Sequence, residues 1–333
     1  MSDSDSVHSQ SVNGTANKLG KGRAHDTQSQ GNERAVTAAT SVDTDNPFKI
    51  PSDELIFTFK EDEKARKIQE FVFKNKINTD FSIVISCGRK SVVPSIYLKK
   101  KFKNKIINIH IQAPKVSLNN FDFVVVPEHD SLNGKNVLTS KGSIHHLTKD
   151  ELDENENYLK DRINNQKKIV TLILGGPNKY YNFDSNVIEN VFQKIENNFL
   201  KANYQLIVIP SIRTPKNIIE KAKDFFDDNQ IIITRIDKKA YLSALKISDH
   251  IIVTCDSTSM ISEAAITGKP IYVARMPSVK NDQRFRNFFN LFKSLNIIKE
   301  LENTVENWTY TKLNETNKVA EKLKDKIKTH DFS

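Results

Sequence analysis

The chain has 333 residues, with 50 lysines and arginines, 41 aspartates and glutamates, and a formal net charge of +9. A hydrophobic fraction of 38% with 8% aromatic residues excludes wholesale disorder, and the length suffices for about two ordinary domains. No apolar run approaches the roughly 20 residues that span a bilayer, and no signal-peptide pattern opens the chain. We therefore expect a cytoplasmic protein.

The basic balance leaves two interpretations open. The densest basic run, residues 99–103, ends a predicted helix, where lysines favour the helix dipole as ordinary solvated residues. The alternative is an anionic partner, for which we expect a membrane surface rather than a nucleic acid. Cys87 and Cys255 lie far apart without a CxxC motif, which favours two thiols in a reducing compartment over a disulfide.

Residues 1–46 differ from the rest of the chain. They are rich in Ser, Asp, Thr, Asn, Gln and Gly, hold one Leu, and contain no Ile and no aromatic residue. Such a segment cannot bury enough apolar surface to offset its ordering entropy, so it is predicted to be a largely disordered extension.

Alternating strands and helices follow in two halves. In the first predicted domain, residues 47–165, the strands are 55–59, 81–86, 105–111, 121–126 and 136–139, and the helices are 61–74, 91–101 and 148–164. In the second, residues 166–312, the strands are 168–174, 205–209, 230–234, 251–253 and 271–273. Its helices are 184–200, one that ends at 226, 238–246, and one that begins near 257.

This alternation predicts βαβ units. We therefore expect an α/β fold of two Rossmann-like, doubly wound parallel-sheet domains with a cleft between them. Residues 313–333 are predicted as a terminal helix with the apolar stripe Leu313, Val319, Leu323 and Ile327, which could pack on either domain.

The stretch 251–273 carries a polar turn between a strand and a helix. Asp256, Ser257, Thr258 and Ser259 are residue types that cap helices, and their hydroxyls and amides also suit an anion. Glu263 lies one turn along, on the side of the helix predicted to be buried, where an unpaired carboxylate is costly. A ribose diol is a suitable partner for it.

Two further strand ends of the same predicted sheet carry residues suited to anions. Gly175 and Gly176 let the backbone approach a phosphate, although a tight βα turn explains them as well. Ser211, Arg213 and Thr214 offer hydroxyls and a bidentate guanidinium, although Thr214 could simply cap the next helix. Together, the three strand ends predict a nucleotide or sugar-nucleotide pocket.

The first half offers weaker candidates. Arg89 and Gln112 follow two predicted strands, and Glu128, His129 and Asp130 follow the next. The last three could act as acid and base or could cap the loop. No HxH or HxxxH pattern supports a metal, so we expect neither metal nor cofactor.

These turns, taken in order, resemble the plant "elongated mitochondria" fission-factor family and its bacterial relatives. The matching segments are Ser-Cys-Gly-Arg at 86–89, Ile-Gln-Ala-Pro at 111–114, Phe-Asp-Phe-Val-Val-Val-Pro-Glu-His-Asp at 121–130, Gly-Gly-Pro at 175–177, Ser-Ile-Arg-Thr-Pro at 211–215, Asp-Ser-Thr-Ser-Met-Ile-Ser-Glu-Ala at 256–264 and Gly-Lys-Pro at 268–270. The similarity covers roughly residues 80–300. The apolar strand with which the family normally opens is not recognised before the Gly-containing segment 22–31.

The resemblance implies a GT-B glycosyltransferase-like fold. It also implies that Glu263 meets the ribose of a nucleoside-diphosphate sugar, with residues 257–259 and Gly176 at the diphosphate and Arg213 neutralising its charge. An enzyme of this kind would be a metal-independent glycosyltransferase at the cytoplasmic membrane face, with His129 or Asp130 as the base. The alternative is a non-catalytic adaptor that recruits a dynamin-type partner to a membrane during organelle fission.

Overall fold

The computed structural model of the protein describes residues 35–39, 55–58 and 82–329, and within them the strands form two sheets. The strands are β1 (Ala35–Ala39), β2 (Leu55–Thr58), β3 (Ile83–Cys87), β4 (Ile107–Ile111), β5 (Phe123–Pro127), β6 (Val137–Ser140), β7 (Lys168–Leu174), β8 (Tyr204–Pro210), β9 (Ile231–Ile232), β10 (His250–Thr254), β11 (Ile271–Ala274) and β12 (Ile298–Glu300). The described helices are α1 (Val92–Phe102), α2 (Lys149–Glu154), α3 (Ser185–Asn198), α4 (Lys216–Phe225), α5 (Lys238–Ile247), α6 (Thr258–Ala264), α7 (Gln283–Ser294) and α8 (Glu315–Lys328). The predicted α/β fold with two Rossmann-like sheets is confirmed.

The first sheet has the order β2-β1-β3-β4-β5-β6. Strands β3 to β6 are parallel, as predicted, but β1 runs antiparallel to both β2 and β3. Strand β1 also lies inside the extension predicted to be disordered, so that prediction does not hold for Ala35–Ala39. Composition alone missed it because the hydrogen bonds of β1 come from β2 and β3, which are distant in sequence.

The second sheet is wholly parallel, in the order β12-β11-β10-β7-β8-β9. The chain winds outward from β7 through β8 to β9, then returns to β10 on the other side of β7. This is the doubly wound nucleotide-binding order, in which ligands bind beyond the carboxyl ends of the strands where the winding reverses. The reversal lies between β7 and β10.

Three elements differ from the sequence prediction. The predicted helix 148–164 is α-helical only over Lys149–Glu154 and continues as a 3-10 turn, Glu156–Arg162. Its predicted capping box is confirmed, because Thr148 Oγ1 accepts from Glu151 N at 3.1 Å and Glu151 Oε2 accepts from Thr148 N at 3.4 Å. Helix α7 and strand β12 were not predicted.

Helix α8 returns the chain to the first sheet. Its buried Val319 and Leu323 pack in one cluster with Ile107 and Phe123 of that sheet. The sequence left open which domain the terminal helix packs on, and the structure shows that it packs on the first. Two chain segments therefore connect the sheets: the one between β6 and β7, and the one between β12 and α8.

Three remaining expectations concern single features. Cys87 is half-buried and Cys255 is buried, and no disulfide joins them. Over the described part of the chain, no helix combines the length and apolar character needed to cross a membrane. The predicted helix 61–74 and the segment 22–31 lie outside the described residues.

Candidate functional site

A buried carboxylate joins three strand ends of the second sheet. Asp256, just past β10, accepts from Gly176 N at 3.0 Å after β7 and from Arg213 Nη2 at 2.7 Å after β8. Its second oxygen accepts from Thr254 Oγ1 at 2.7 Å. Burial raises the pKa of Asp256, while Thr254, Gly176 and Arg213 act in the opposite direction. The three predicted strand ends thus do converge, and Asp256 holds them together.

The two glycines permit this close approach. A Cβ on Gly175 would lie 2.1 Å from Asp256 Oδ2, and one on Gly176 would lie 2.0 Å from the carbonyl oxygen of Arg213. In this structure the Gly176 N–H is engaged by Asp256, and Arg213 Nη1 donates to Gly176 O at 2.9 Å. Both groups predicted to meet a phosphate therefore also stabilise the site itself.

The turn after β8 is fixed by its own hydroxyl. Thr214 Oγ1 contacts the carbonyl oxygens of Leu174 and Gly175 at 2.9 and 2.6 Å and accepts from Ser211 N at 2.8 Å. The N-cap of α4 is Pro215 without a side-chain cap, so Thr214 ties β8 to β7 and does not cap the helix.

The start of α6 follows the sequence prediction. Ser257 is its N-cap, and its hydroxyl accepts from Met260 N at 3.4 Å. Thr258 is buried, whereas Ser259 is exposed at this edge of the sheet. Because the first amides of a helix have no helical acceptor, this turn presents N–H donors beside the Ser257 and Ser259 hydroxyls.

Glu263 is half-buried one turn further along α6 and has a partner that the sequence did not suggest. Its Oε2 accepts a 2.6 Å hydrogen bond from the Tyr241 hydroxyl on α5. Burial raises the pKa of Glu263, with the Tyr241 bond and the charge of His146 acting in the opposite direction. The carboxylate is thus held in a fixed position.

Arg275 is a site residue that the sequence reasoning missed. It follows β11, where Ala274 pairs with Thr254, so it lies beside Cys255 and the loop that opens α6. Its guanidinium stacks on Phe289 with the carbon 4.2 Å from the ring centroid. Nη1 is buried without a hydrogen-bond partner. A signal was available, because an arginine also occurs within a few residues of the end of an apolar strand at Arg213.

The candidate bases of the first sheet lie in a contact between the two halves. The turn Glu128–Asp130 follows β5, and its His129 packs edge-on against Phe288 of α7, with ring centroids 5.1 Å apart. Asp130 forms an ion pair with Arg284 of the same helix. The His129 side chain has no exposed surface, and burial, with Arg284 adding, lowers its pKa to about 4.

The remaining predicted residues lie at the carboxyl edge of the first sheet. Arg89 is exposed and begins the 3-10 turn after β3. Gln112 follows β4 with a φ of 87°. Among residues 82–329, no group of three or more His, Cys, Asp or Glu side chains is arranged to hold a metal ion.

Comparison with known proteins gives a family and distant relatives. The family model described as "Mitochondrial fission ELM1" matches residues 8–327, a range that spans both sheets. An uncharacterized protein of Rickettsia prowazekii is 26% identical over 292 residues, covering 74% of this chain and 80% of that protein. The mitochondrial fission protein ELM1 of Arabidopsis thaliana is 23% identical over 280 residues, covering 75% of this chain and 65% of that protein.

Solved structures show a looser likeness. The UDP-GlcNAc 2-epimerase of Neisseria meningitidis, bound to UDP-GlcNAc, has 15% sequence identity and a TM-score of 0.45. The alignment covers 80% of this chain and 83% of the epimerase.

Proposed function

The chain belongs to the mitochondrial fission ELM1 family, and from that premise we propose that it binds a nucleoside-diphosphate sugar at the carboxyl edge of its second sheet. The observation that carries the proposal is Arg275, whose buried Nη1 has no partner beside the loop that opens α6. A buried guanidinium nitrogen without an acceptor is costly, and a diphosphate supplies both charge and acceptors. The hydroxyls of Ser257 and Ser259 lie at the same strand end.

Glu263 supplies the second contact in this proposal. Tyr241 engages Oε2 and leaves Oε1 for a ribose hydroxyl. Because the carboxylate is already fixed in position, little side-chain entropy is lost on binding. Asp256 acts behind the contact surface by holding the loops that present Arg213 and the start of α6.

A thermal-shift screen with UDP-, GDP-, ADP- and CMP-sugars tests the proposal. A ligand at 100 times its dissociation constant adds about 2.7 kcal/mol to the free energy of unfolding, which raises the melting temperature measurably. We expect the shift to disappear in Arg275→Gln and to shrink in Glu263→Ala.

Arg235→Gln is the matched control, because Arg235 is exposed at the same edge after β9. It should keep the full shift. The absence of a shift with every nucleotide sugar, or an equal shift in Arg275→Gln and wild type, would rule out this site.

One observation favours binding without sugar transfer. The groups that could act as an acceptor base are not accessible, because His129 is covered by Phe288 and Asp130 is paired with Arg284. The Arabidopsis relative is named a mitochondrial fission protein. The second candidate function is therefore a non-catalytic adaptor that brings a dynamin-type partner to a membrane. Release of free sugar or transfer to an acceptor by the purified chain, abolished in Glu263→Ala, would exclude it.

A membrane location is proposed for either role. Four exposed aliphatic side chains each follow a strand end and stand next to a lysine or arginine in sequence: Val116 (45% exposed), Ile212 (67%), Ile236 (58%) and Val279 (51%). Adjacent apolar and cationic side chains suit an anionic lipid surface.

Cosedimentation with phosphatidylserine vesicles tests this location. We expect binding that weakens as salt rises and that is lost in Ile212→Ser/Ile236→Ser. Val93→Ser changes a 47% exposed aliphatic side chain that has no lysine or arginine next to it in sequence, and it should leave binding unchanged. Equal binding to neutral phosphatidylcholine vesicles would contradict the electrostatic part of the proposal.

A further inference from the structure

A cavity of about 560 Å³ lies where the two connections between the sheets come together. Its walls are formed by residues 145–150, 152 and 153 of the first connection, by the carboxyl-terminal end of α5, by the loop after α6, and by residues 312–317 of the second connection. Lys246 and Lys269 precede β10 and β11, so the cavity lies at the amino edge of the second sheet. It is therefore distinct from the nucleotide site proposed above.

Four lysines line this cavity, and only one of them is paired. Lys246 forms a 2.5 Å ion pair with Asp153, whereas Lys149, Lys269 and Lys312 form none with any described residue. The acidic lining compensates them only in part: Asp153 also attracts Lys149 and Lys312, and Glu315 is engaged by the amide of Lys141 at 2.6 Å and by Lys318 at 3.2 Å. Asp150, like Lys149 and Lys312, is exposed.

The backbone is shaped to admit one of these lysines. Gly268 has a φ of +77°, and a Cβ there would lie 2.8 Å from Cε of Lys312. The aliphatic part of Lys312 thus lies across Gly268. A larger residue would displace Lys312 and be strained in this left-handed conformation.

Lys269 and His145 are half-buried and lack the partners expected of them. The Lys269 ammonium donates to the carbonyl of Lys246 and has no carboxylate partner. Burial lowers the pKa of Lys269 to about 8, with Asp249 and Glu156 opposing and Lys246 and Lys312 adding to the effect. His145, which also lines the cavity, has its Nδ1 buried without a partner.

We infer that this cavity binds a small phosphate-bearing anion held by Lys149, Lys269 and Lys312. The volume lies within the range of about 300–1,000 Å³ typical of small-molecule sites and exceeds what a single phosphate group needs. An anion there would relieve the repulsion among the lysines and supply acceptors to a cluster that has few. Because its lysines come from both connections and from the second domain, the anion would link these segments.

Calorimetric titration of the full chain with pyrophosphate tests the inference. We expect Lys269→Gln/Lys312→Gln to weaken binding at least tenfold. Lys223→Gln/Lys239→Gln removes the same charge from exposed positions on α4 and α5 and should change the affinity less than twofold. Equal weakening in both double variants would mean nonspecific attraction to a basic protein and would overturn the site.

Two further measurements locate the anion. Pyrophosphate should slow hydrogen exchange in residues 145–153 and 312–317 of wild type and of Arg275→Gln alike. Loss of this protection in Arg275→Gln would place all binding at the carboxyl edge and reject the cavity.

Binding at pH 8.5 should also take up protons, because an anion favours the charged Lys269. The uptake should vanish in Lys269→Gln, and an unchanged uptake there would contradict the assignment. If no nucleotide sugar raises the melting temperature while these results hold, only the function proposed above is ruled out.

Discussion

Asp256 has no exposed side-chain surface and accepts hydrogen bonds from groups on three strand ends. Removing one partner of a buried charge network leaves the others with unsatisfied donors. We expect Asp256→Ala to lower the free energy of unfolding by about 3 kcal/mol, near the lower end for buried pairs because Arg213 is partly exposed and can rehydrate.

Denaturant unfolding of this variant measures the loss. Asp224→Ala, at an exposed position on α4, is the control and should stay within about 0.5 kcal/mol of wild type. A loss for Asp256→Ala no larger than that of the control would mean that the network does not hold the strand ends.

Protonation of His129 makes the free energy of unfolding depend on pH. Its pKa falls from 6.5 to about 4 because burial disfavours the charged ring. The folded state thus binds the proton less tightly than the unfolded state. The contribution of the neutral His129 to the free energy of unfolding is fully present above pH 6.5 and is lost as the pH falls toward 4. At pH 5 this group alone accounts for a loss of about 2 kcal/mol.

His129→Leu should remove that share, so the difference in unfolding free energy between pH 7.5 and pH 5 should shrink by about 2 kcal/mol. His110→Leu is a useful comparison, because burial also lowers the pKa of His110 to about 4, while its Nδ1 is 2.8 Å from Ser86 Oγ. If the unfolding free energy of His129→Leu falls between pH 7.5 and pH 5 as much as that of wild type, the pKa of His129 is not lowered in the folded protein.

At the scale of elements, five of the six strands of the second sheet were predicted within a few residues because each contains an apolar, mostly β-branched run, whereas β12 was missed. The errors have physical causes. Helix α7 was overlooked although Phe285, Phe288, Phe289 and Phe292 repeat at helical spacing. The predicted helix 148–164 was too long because charged residues without an apolar stripe support a short helix only.

Residue types predicted part of the candidate site, but not its contacts. The bond from Gly176 to Asp256 joins residues 80 apart in sequence, and the Arg213 pair joins residues 43 apart. Local patterns identify the turns but not which groups in them bind one another. The Tyr241–Glu263 bond is likewise between two helices and has no sequence signature.

The turn after β7 gives a prediction at this scale. In Gly176→Ala the new Cβ would lie 2.0 Å from a backbone oxygen of Arg213, which cannot rotate away as a side chain can. The β7 and β8 turns must separate, so we expect a loss of about 3 kcal/mol by thermal unfolding. Gly134→Ala is the control, because its Cβ meets flexible Leu118 and Val137 side-chain atoms at 3.0 Å, and it should cost less than about 1 kcal/mol. Equal losses would show that the turn is not under this constraint.

At the scale of the whole molecule, the turn after β5 and the segment after β6 contact helices of the second half. The Asp130–Arg284 ion pair and the packing of His129 on Phe288 link the turn after β5 to α7. Near α6, Ser143 N donates to Ser262 Oγ at 3.0 Å. We expect the turn after β5 to separate from α7 when the charge of one partner in the ion pair is reversed.

Arg284→Glu tests that expectation, because it places a second negative charge against Asp130, whose side chain is only 7% exposed. Repulsion in a poorly solvated contact should separate the turn from α7 and uncover His129. We expect a larger radius of gyration in small-angle X-ray scattering and faster hydrogen exchange in residues 128–131. Arg286→Glu reverses a charge on the same helix that pairs with Asp282 within the second domain, so it should leave both measurements near wild type. If the two variants behave alike, the Asp130–Arg284 pair does not hold the halves together, and the inaccessibility of His129 must come from the packing of Phe288 alone.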